Sequence, residues 1–379
     1  MFGQTNMQKI KVLHLVKKYD GNYPLRNAMI LGPAAERFEI KICYLTGTPD
    51  GTNLLDRYDK SIYLENESPE GAKRSPFISL IKLLRKERPE ILHCHRHKPS
   101  LYGILAGLLF SDMKIVAHVH GLRRTRNLCR KITNALLSWR ISRFIAVSDA
   151  VAEDIIKSNW FIEPSKVKTI YNGISLEPFD LLTISGAAAK KQMDIPDDAF
   201  VFGTVGRLVK TKGHSYLIEA FSQVESHFPN SRLVIIGEGT LDNDLKGLAA
   251  KLGISKKVIF CGYRKDVLQL LRGFDVFVFP SIAEGLGLAL MEAMASRLPA
   301  IASRAGGIPE VFGAAECGQL VPPGDPHALA EAMQKLASLP PARRKEMGDS
   351  ARKRVEAAFT QELMYRGLES VYETIVDSA

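Results

Sequence analysis

The chain has 379 residues, of which 46% are hydrophobic and 24% are charged, and its formal net charge is +10. This length exceeds what one hydrophobic core usually supports, so two domains are expected, with the composition of a soluble globular protein. The longest apolar run, ILAGLLF at 104–110, excludes a transmembrane helix because crossing a bilayer takes about 20 residues.

Two features predict a cytoplasmic protein. The N-terminus lacks an apolar segment of the signal-peptide type. The cysteines are odd in number and scattered, and no CxxC pair occurs, which favours a reducing compartment over a disulfide framework or structural zinc. They are Cys43, Cys94, Cys129, Cys261 and Cys317.

In chain order, short β-rich apolar runs alternate with helical patterns. The first half contains IKVLHLV, FEIKICYL, EILHCH, KIVAHVH, RFIAVS and KVKTIYN, with helical spacing in PFISLIKLLRKE and DAVAEDIIKSN. The second half contains FVFGTVG, RLVIIGEG, KVIFCG, DVFVFPS, LPAIAS and GQLVPP, with helices such as HSYLIEAFSQVESHF between them. Because strands that alternate with helices form parallel sheets covered on both faces, each half is predicted to be a doubly wound α/β domain.

A stretch rich in Gly, Pro, Asp and Ala separates the two halves at about 173–198. We therefore assign 1–180 to an N-terminal domain and 181–356 to a C-terminal domain. The remaining residues, 357–379, are assigned to a last helix.

Positive charge is concentrated in the first half. No Asp or Glu occurs from Met113 to Ser148, and further basic residues cluster at 82–88 and 96–98. Such faces attract phosphate-bearing partners, namely nucleotides, nucleic acid or anionic lipid. A solvated helix face is the alternative interpretation.

In the second half, the segment GTVGRLVKTKGHS follows a predicted strand and precedes a helix. Gly203 and Gly206 permit a tight turn with close backbone approach, and Arg207 and Lys212 add two cations at the carboxyl end of the strand. In doubly wound sheets ligands bind at that edge, and a helix N-terminus there favours anions. Taken alone, the segment indicates either a phosphate site or an ordinary strand–helix turn.

A second turn, AEGLGLALMEA, carries two glutamates in apolar surroundings. Gly285 and Gly287 disfavour helix before about Leu288, which places Glu284 in the turn and Glu292 one turn into the helix. The backbone N–H groups between them suit an anion. The alternative is that Glu284 is a helix-start charge and Glu292 a surface residue. A third glycine turn, Gly306–Gly307, follows the next strand. Three glycine turns at strand ends within one domain together predict a ligand cleft, which no single turn would.

Together these segments resemble the retaining glycosyltransferases of family 4, which have the GT-B fold. The likeness runs almost continuously from Val201 to about Met333 through GTVGRLVKTKGHSYLIEAF, FDVFVFPSIAEGLGLALMEAMA and GQLVPPGDPHALAEAM. It is weaker in the first half, where PEILHCHRHKPSLYGILAGLL, KIVAHVHG and RFIAVSDAVAEDI keep the expected order. The resemblance implies an N-terminal acceptor domain and a C-terminal donor domain facing across a cleft. It also implies that the last helix crosses back to the N-terminal domain.

The resemblance also assigns the donor site. Arg207 and Lys212 match the basic pair that holds the donor diphosphate and stabilises the departing nucleotide. Glu284 matches the residue that contacts the donor sugar, and Glu292 the one that accepts hydrogen bonds from the ribose. The remaining matches are the amides of Leu286, Gly287 and Leu288, and Tyr263 with Arg264 in the turn beside the base. Arg297 departs from the pattern, because the family often has a helix-ending glycine there.

On the acceptor side, His120 matches a histidine that points into the cleft near the donor sugar. The motif HCHRH places His93, His95 and His97 on one face of a predicted strand, which raises the possibility of a metal site. With no carboxylate or second histidine cluster nearby in sequence, His95 or Arg96 lining the acceptor cleft is favoured, and no metal is expected.

The loop after the first strand departs from the family pattern. Members usually carry a glycine pair there, whereas this chain has Gly21 beside Asn22. Lys17, Lys18 and Arg26 could supply cationic contacts instead.

The segment 121–143 combines arginines with Leu, Ile and Trp139 at partly helical spacing. It predicts either a surface helix lying on anionic lipid or a charged helix packed on its own domain.

The resemblance implies transfer of a sugar from a nucleotide diphosphate sugar to a hydroxyl of a glycan or lipid-linked acceptor, in cell-envelope polysaccharide or lipopolysaccharide synthesis. No cofactor is expected. Another GT-B enzyme, such as a nucleotide-sugar epimerase or a sugar phosphorylase, is the alternative. A nucleic-acid-binding protein would explain the charge, but the basic residues are not interleaved with aromatic stacking platforms.

Overall fold

The structure is a computed structural model that describes residues 9–19, 24–64, 75–122, 132, 135, 138–159 and 161–377. The chain forms two compact units: the first comprises 1–173 together with 361–379, and the second comprises 174–360. These limits differ by a few residues from the division proposed from sequence. Ile174 donates its backbone N–H to Phe359, and Asp180 pairs with Arg352, so the segment after 173 is tied to the second unit.

The described residues of the first unit contain one seven-stranded parallel sheet. Its strands are β1 (Ile10–Lys18), β2 (Phe38–Thr46), β3 (Ser61–Tyr63), β4 (Ile91–His95), β5 (Lys114–Val119), β6 (Arg143–Ala146) and β7 (Val167–Thr169). Their order is β3-β2-β1-β4-β5-β6-β7, so the winding direction changes between β1 and β4. The connecting helices are α1 (Pro24–Leu31), α2 (Pro76–Glu87), α3 (His97–Gly107) and α4 (Asp149–Ser158).

The described residues of the second unit contain a six-stranded parallel sheet. Its strands are β8 (Phe200–Val205), β9 (Ser231–Ile236), β10 (Val258–Gly262), β11 (Val276–Phe279), β12 (Ala300–Ser303) and β13 (Gly318–Val321). In the order β10-β9-β8-β11-β12-β13, the winding direction changes between β8 and β11. Ligands bind outside the carboxyl ends of the strands at such a switch point.

Nine helices of the second unit are described, and the longer ones cover this sheet. They are α5 (Glu177–Asp180), α6 (Gly186–Lys191), α7 (His214–Val224), α8 (Asp242–Lys251), α9 (Val267–Leu271), α10 (Leu288–Ala295), α11 (Ile308–Phe312), α12 (Pro326–Ser338) and α13 (Pro341–Ala358). Apolar residues at helical spacing bury one face of α7 and α12 against the strands, which gives this unit a continuous core.

The last helix, α14 (Gln361–Asp377), belongs to the first unit. Leu368 and Tyr372 are fully buried there and join a core that includes Ile42 and Ile145 of the first sheet. The prediction of two doubly wound domains with a C-terminal helix that returns to the first is therefore confirmed. β3 was not predicted, because three residues are too few to show a pattern.

No helix among the described residues combines the length and the apolar character that a bilayer crossing requires.

Arg297 ends α10 in the left-handed conformation, with φ of 62°, which glycine would adopt with less strain. Its guanidinium donates to Asp349 at 2.6 Å. A Cβ at Gly348, in the middle of α13, would lie 2.0 Å from the carbonyl oxygen of Arg297. Glycine at 348 therefore lets α13 approach the end of α10.

We expect Gly348→Ala to lower the free energy of unfolding by about 1–3 kcal/mol, because the added methyl must displace backbone. The matched control is Gly247→Ala in α8, where a Cβ meets nothing within 4 Å. There the better helix propensity of alanine should stabilise the protein by about 0.5–1 kcal/mol. Urea denaturation of both variants checks this, and equal midpoints would contradict the packing argument.

Candidate functional site

The turns that follow β8 and β11 lie side by side at the switch point of the second sheet. The N–H of Ile282 donates to the carbonyl of Thr211 at 2.9 Å. Gly213 has φ of 69°, and a Cβ there would lie 2.1 Å from the carbonyl oxygen of Pro280. The glycine in KGHS thus permits the approach that brings Lys212 close to Glu284.

Lys212 and Glu284 form an ion pair in which both side chains are mostly buried. The ammonium also lies 5.2 Å from the centre of the Phe279 ring, a cation–π distance. Glu284 is therefore not an uncompensated charge. The sequence assigned the two residues to different parts of a ligand, and the structure shows that they are partners of each other.

Arg207 follows β8 directly and is exposed. Within the described part of the chain its guanidinium makes no ion pair or hydrogen bond. A guanidinium presents several N–H donors in a planar fork that matches phosphate oxygens. Arg207 is thus a cation that a ligand can engage without breaking a protein contact.

The N-terminus of α10 lies in the turn after β11. Gly287 precedes the helix with φ of 109°, and no side chain of the described residues caps this end. Leu286 is buried, and Leu288 is the first helical residue. The first N–H groups of a helix have no partner within it and carry partial positive charge, so this end can hold an anion.

Glu292 lies on α10, one turn beyond Leu288, and is partly buried. Desolvation raises the pKa of its carboxyl to about 7. No cation pairs with this carboxyl among the described residues. A half-neutral carboxyl that lacks a cationic partner is a hydrogen-bond acceptor suited to hydroxyl groups.

Tyr263 and Arg264 follow β10, two strands from β8. Tyr263 is 65% exposed. Arg264 donates twice to Asp266, at 2.8 and 2.6 Å, which raises the pKa of Arg264 and lowers that of Asp266. The ion pair fixes the turn, and Tyr263 presents an open ring on which a base could stack.

His214 was missed by the sequence interpretation. It is the first residue of α7 and is buried, and its Nδ1 has no hydrogen-bond partner among the described residues. Desolvation, with a contribution from Lys212, lowers its pKa to about 4. The ring lies behind the turn, about 3.8 Å from where a Cβ on Gly206 would stand. In the sequence, its position directly after the lysine–glycine turn was the feature that could have pointed to His214.

In the first unit, a histidine cluster occupies the switch point between β1 and β4. His95 Nδ1 and His120 Nε2 are 3.0 Å apart, and His95 is buried. Arg96 follows β4 with φ of 67° and is exposed, while its N–H donates to His118. Gly21 lies outside the described residues, as does the Arg26 side chain; Lys17 and Lys18 are exposed.

The prediction that His97 shares the strand face with His93 and His95 is wrong. β4 ends at His95, and His97 begins α3. The neighbours of His93 and His95 are instead His14 on β1 and His118 on β5, which the parallel register places opposite them.

No second histidine cluster lies nearby in sequence, but the neighbouring strands bring further histidines close in space. Two sets of histidines each bring ring nitrogens within 4.8 Å of one another. The sets are His14, His93 and His95, and His95, His118 and His120. The expectation that no metal binds stays a prediction.

Two family models match this chain. The model described as "Glycosyl transferases group 1" matches residues 187–354, and "Glycosyltransferase Family 4" matches residues 34–178. The two matches correspond to most of the second and first units, respectively.

Three curated relatives support the same family. A UDP-Gal:alpha-D-GlcNAc-diphosphoundecaprenol alpha-1,3-galactosyltransferase of Escherichia coli is 34% identical over 61% of this chain and 62% of that protein. The capsular polysaccharide biosynthesis glycosyltransferase CapM of Staphylococcus aureus is 28% identical over 98% of both chains. An uncharacterized glycosyltransferase of Methanocaldococcus jannaschii is 30% identical over 68% of both.

Solved structures share the fold. A glycosyltransferase from Rickettsia africae aligns with a TM-score of 0.81 at 22% identity, over 98% of this chain and 100% of that one. Anabaena Alr3699/HepE, in complex with UDP-glucose, aligns with a TM-score of 0.82 at 21% identity, over 96% and 100%.

The pKa of Glu292 predicts a pH-dependent cost of folding. The folded state holds the proton up to about pH 7 and the unfolded chain only to about 4.5, so stability falls as pH rises between these values. At pH 8, Glu292→Gln should raise the free energy of unfolding by roughly 1–3 kcal/mol, and much less at pH 5.

Thermal melts at both pH values test this expectation. The control for loss of one negative charge is Glu331→Gln, an exposed position on α12. Equal effects of Glu292→Gln at pH 5 and pH 8 would show that its carboxyl ionises normally.

Proposed function

The chain belongs to glycosyltransferase family 4, and from this premise we propose that it transfers a sugar from a nucleotide diphosphate sugar to an acceptor hydroxyl with retention of configuration. One arrangement supports this donor. At the switch point of the second sheet, two adjoining turns and the start of α10 carry the lysine–glutamate pair, the desolvated Glu292 carboxyl, and an arginine and a helix N-terminus that no described side chain pairs with or caps. These groups suit a molecule that carries both phosphates and hydroxyls.

Each group has a role in holding the donor. Arg207 and Lys212 hold the diphosphate, together with the N–H groups at the start of α10. Glu292 accepts hydrogen bonds from the ribose hydroxyls. When Lys212 turns to the diphosphate, Glu284 loses its partner and accepts hydrogen bonds from the donor sugar in place of the ion pair.

The chemistry follows from the same charges. The acceptor hydroxyl attacks the anomeric carbon from the face that the diphosphate leaves, and the bond from that carbon to the phosphate oxygen breaks. The departing oxygen takes the proton of the acceptor, so no side chain is needed as a nucleophile. Arg207 and Lys212 stabilise the negative charge that develops on the nucleotide. In this proposal the two cations alone stabilise the charge of the departing nucleotide, and no metal takes part.

The acceptor is a glycan or a lipid-linked sugar used in cell-envelope polysaccharide or lipopolysaccharide synthesis. The names of the Escherichia coli and Staphylococcus aureus relatives, a diphosphoundecaprenol-sugar galactosyltransferase and a capsular polysaccharide enzyme, support this class. His120, at the end of β5, is the residue of the first unit assigned to substrate, and the enzyme works in the cytoplasm.

A lipid-linked acceptor favours contact with an anionic membrane through the segment 121–143. Residues 123–131, 133–134 and 136–137 of this segment lie outside the described residues. Of those described, Ile132 and Trp139 are exposed, and so are Leu108 and Leu109 beyond α3. Arg140 does not add to a lipid-facing charge, because its guanidinium donates to carbonyls of Gly107, Phe110, Ser111 and Met113.

Flotation with liposomes tests the membrane contact. At low salt the protein should float with vesicles that contain anionic lipid. With purely zwitterionic vesicles it should remain in the bottom fraction. Trp139→Ser should weaken flotation, whereas Tyr58→Ser, which removes an exposed aromatic ring from another surface of the same unit, should not. Flotation that does not depend on anionic lipid would count against the proposal.

The donor site is tested with a panel of UDP-, GDP- and ADP-sugars, scored by thermal shift and by slow donor hydrolysis. We expect Arg207→Ala to weaken binding of the best donor by about 10- to 100-fold, because one charge-assisted contact is lost. Glu292→Ala should also weaken donor binding, because the hydrogen bonds from the ribose hydroxyls to this carboxyl are lost. The control, Arg272→Ala, removes an exposed arginine at the far end of α9 and should leave binding unchanged.

Product analysis completes this test. A new glycoside released together with nucleoside diphosphate is expected, and activity should persist in EDTA. Epimerised sugar without a glycoside would indicate the alternative GT-B activity, and unaltered binding in both variants would place the donor elsewhere.

A further inference from the structure

Five histidines and one tyrosine form a single hydrogen-bonded chain in the first unit, which we call the histidine chain. Its members come from three adjacent strands and from α14. They are His118 on β5, His120 just after β5, His95 and His93 on β4, His14 on β1, and Tyr372 on α14. The register places His14 beside His93, and His95 beside His118, on one face of the sheet.

The contacts join the six side chains in a linear sequence. From one end, His120 Nε2 lies 3.0 Å from His95 Nδ1, and His95 Nε2 lies 2.9 Å from His14 Nδ1. Tyr372 then bridges two rings, because its hydroxyl lies 3.0 Å from His14 Nε2 and 2.6 Å from His93 Nδ1. The chain ends where His93 Nε2 lies 3.1 Å from His118 Nδ1.

The rings inside this chain are neutral. His14, His93, His95 and His118 are buried, and desolvation lowers the pKa of His14 and His118 to about 3 and those of the other two well below the usual range. Burial also raises the pKa of Tyr372 well above 10. A neutral imidazole has one N–H and one acceptor nitrogen, and a tyrosine hydroxyl can donate once and accept.

These facts leave two arrangements in which every contact is a hydrogen bond and the Tyr372 hydroxyl donates one of them. Each ring offers Nδ1 to one neighbour and Nε2 to the other, in the same sense along the whole chain. Either all five rings carry the proton on Nδ1, or all five carry it on Nε2. Most mixtures place two N–H groups or two lone pairs face to face, and a buried hydrogen bond is lost. The one mixture that avoids this has His14 and His93 both donating to Tyr372, and it leaves the buried tyrosine O–H without an acceptor.

The buried end of the chain selects between the two arrangements. His118 Nε2 is buried, and no group in the described part of the chain is within hydrogen-bonding reach of it. Unpaired buried N–H groups are rarer in proteins than acceptors that are not fully used. The arrangement with protons on Nδ1 leaves a lone pair at this position, so it is the favoured one.

We propose that His14, His93, His95, His118 and Tyr372 are positioning residues that hold His120 as the Nδ1–H tautomer, so that His120 meets substrate as a hydrogen-bond donor and not as a base. The inference that His120 meets substrate rests on the proposed function. The shared tautomer does not, because it follows from contacts within the first unit.

The close histidine sets could instead bind a divalent metal, and the geometry argues for the hydrogen-bonded chain. The nitrogens that face one another are paired at hydrogen-bond distances along a line. Neither set includes a carboxylate or thiolate to offset the charge of an ion. A metal would have to break contacts that already satisfy buried groups.

NMR of the full-length protein with ¹⁵N-labelled histidine tests the tautomer directly. Long-range ¹H–¹⁵N correlations at pH 7 report both nitrogens of each ring, and single His→Gln variants assign them. All five rings of the chain are expected to be neutral with the proton on Nδ1. A charged ring, a mixture of tautomers, protons on Nε2, or bound metal in the purified protein would each overturn the proposal.

Tyr372→Phe removes the one bridging hydroxyl and keeps the buried ring. His14, His95 and His120 should keep the proton on Nδ1, while His93 and His118 should lose their single tautomer because His93 Nδ1 then faces carbon. The matched control is Tyr365→Phe on the same helix, whose hydroxyl contacts Gln361 outside the chain. It should leave all five rings unchanged, and an unchanged spectrum in Tyr372→Phe would contradict the bridge.

Activity then tests the role of His120. Asparagine can place an N–H near the position of Nδ1, whereas glutamine places one nearer that of Nε2. We expect His120→Asn to retain a kcat about five- to tenfold above that of His120→Gln, with donor binding unchanged in both. If the wild-type protein shows the Nδ1–H signature and the two variants have equal kcat values, His120 is not a hydrogen-bond donor to substrate. Loss of nucleotide-sugar binding in Arg207→Ala depends only on the second unit, so it tests the proposed function separately.

Discussion

The ion pair between Lys212 and Glu284 is the interaction on which the candidate site depends. It joins the turn after β8 to the turn after β11, and it can form because Gly213 allows those turns to approach. A mostly buried carboxylate is costly without a partner, and here the partner comes from the protein itself. The pair thus neutralises two mostly buried charges at the centre of the candidate site.

The two units solve the problem of buried polar groups in different ways. At the switch point of the second sheet, charge is retained in an ion pair, and Glu292 is left with a raised pKa. At the switch point of the first sheet, charge is avoided, because the buried imidazoles stay neutral and hydrogen-bond to one another and to Tyr372. That arrangement needs α14, because the Tyr372 hydroxyl contacts His14 of β1 and His93 of β4, which precede it in sequence by 358 and 279 residues.

Much of the fold, and the turns that form the candidate site of the second unit, could be predicted. Alternating apolar runs gave the strands because a buried parallel strand needs apolar residues on both faces, and glycine positions located the turns. The histidine cluster of the first unit was harder to predict. His93 and His95 were noticed because they share a motif, whereas His14 and His118 are distant in sequence and meet them only through strand register. Arg140 belongs to the segment 121–143, for which the sequence left a lipid-facing and a packed helix open. It binds carbonyls at the end of α3, a role that only tertiary contacts reveal.

The sequence by itself determined the alternation of strands and helices, the family, and the residue types that can hold phosphate and hydroxyl groups, because these depend on local pattern and side-chain chemistry. Tertiary structure alone decided which of those groups are already paired. It joined Lys212 to Glu284, left Arg207 and Glu292 without ionic partners in the described part of the chain, and ordered the histidines into one chain. Pairing depends on distances between segments far apart in sequence, and strand register and close backbone approach set those distances.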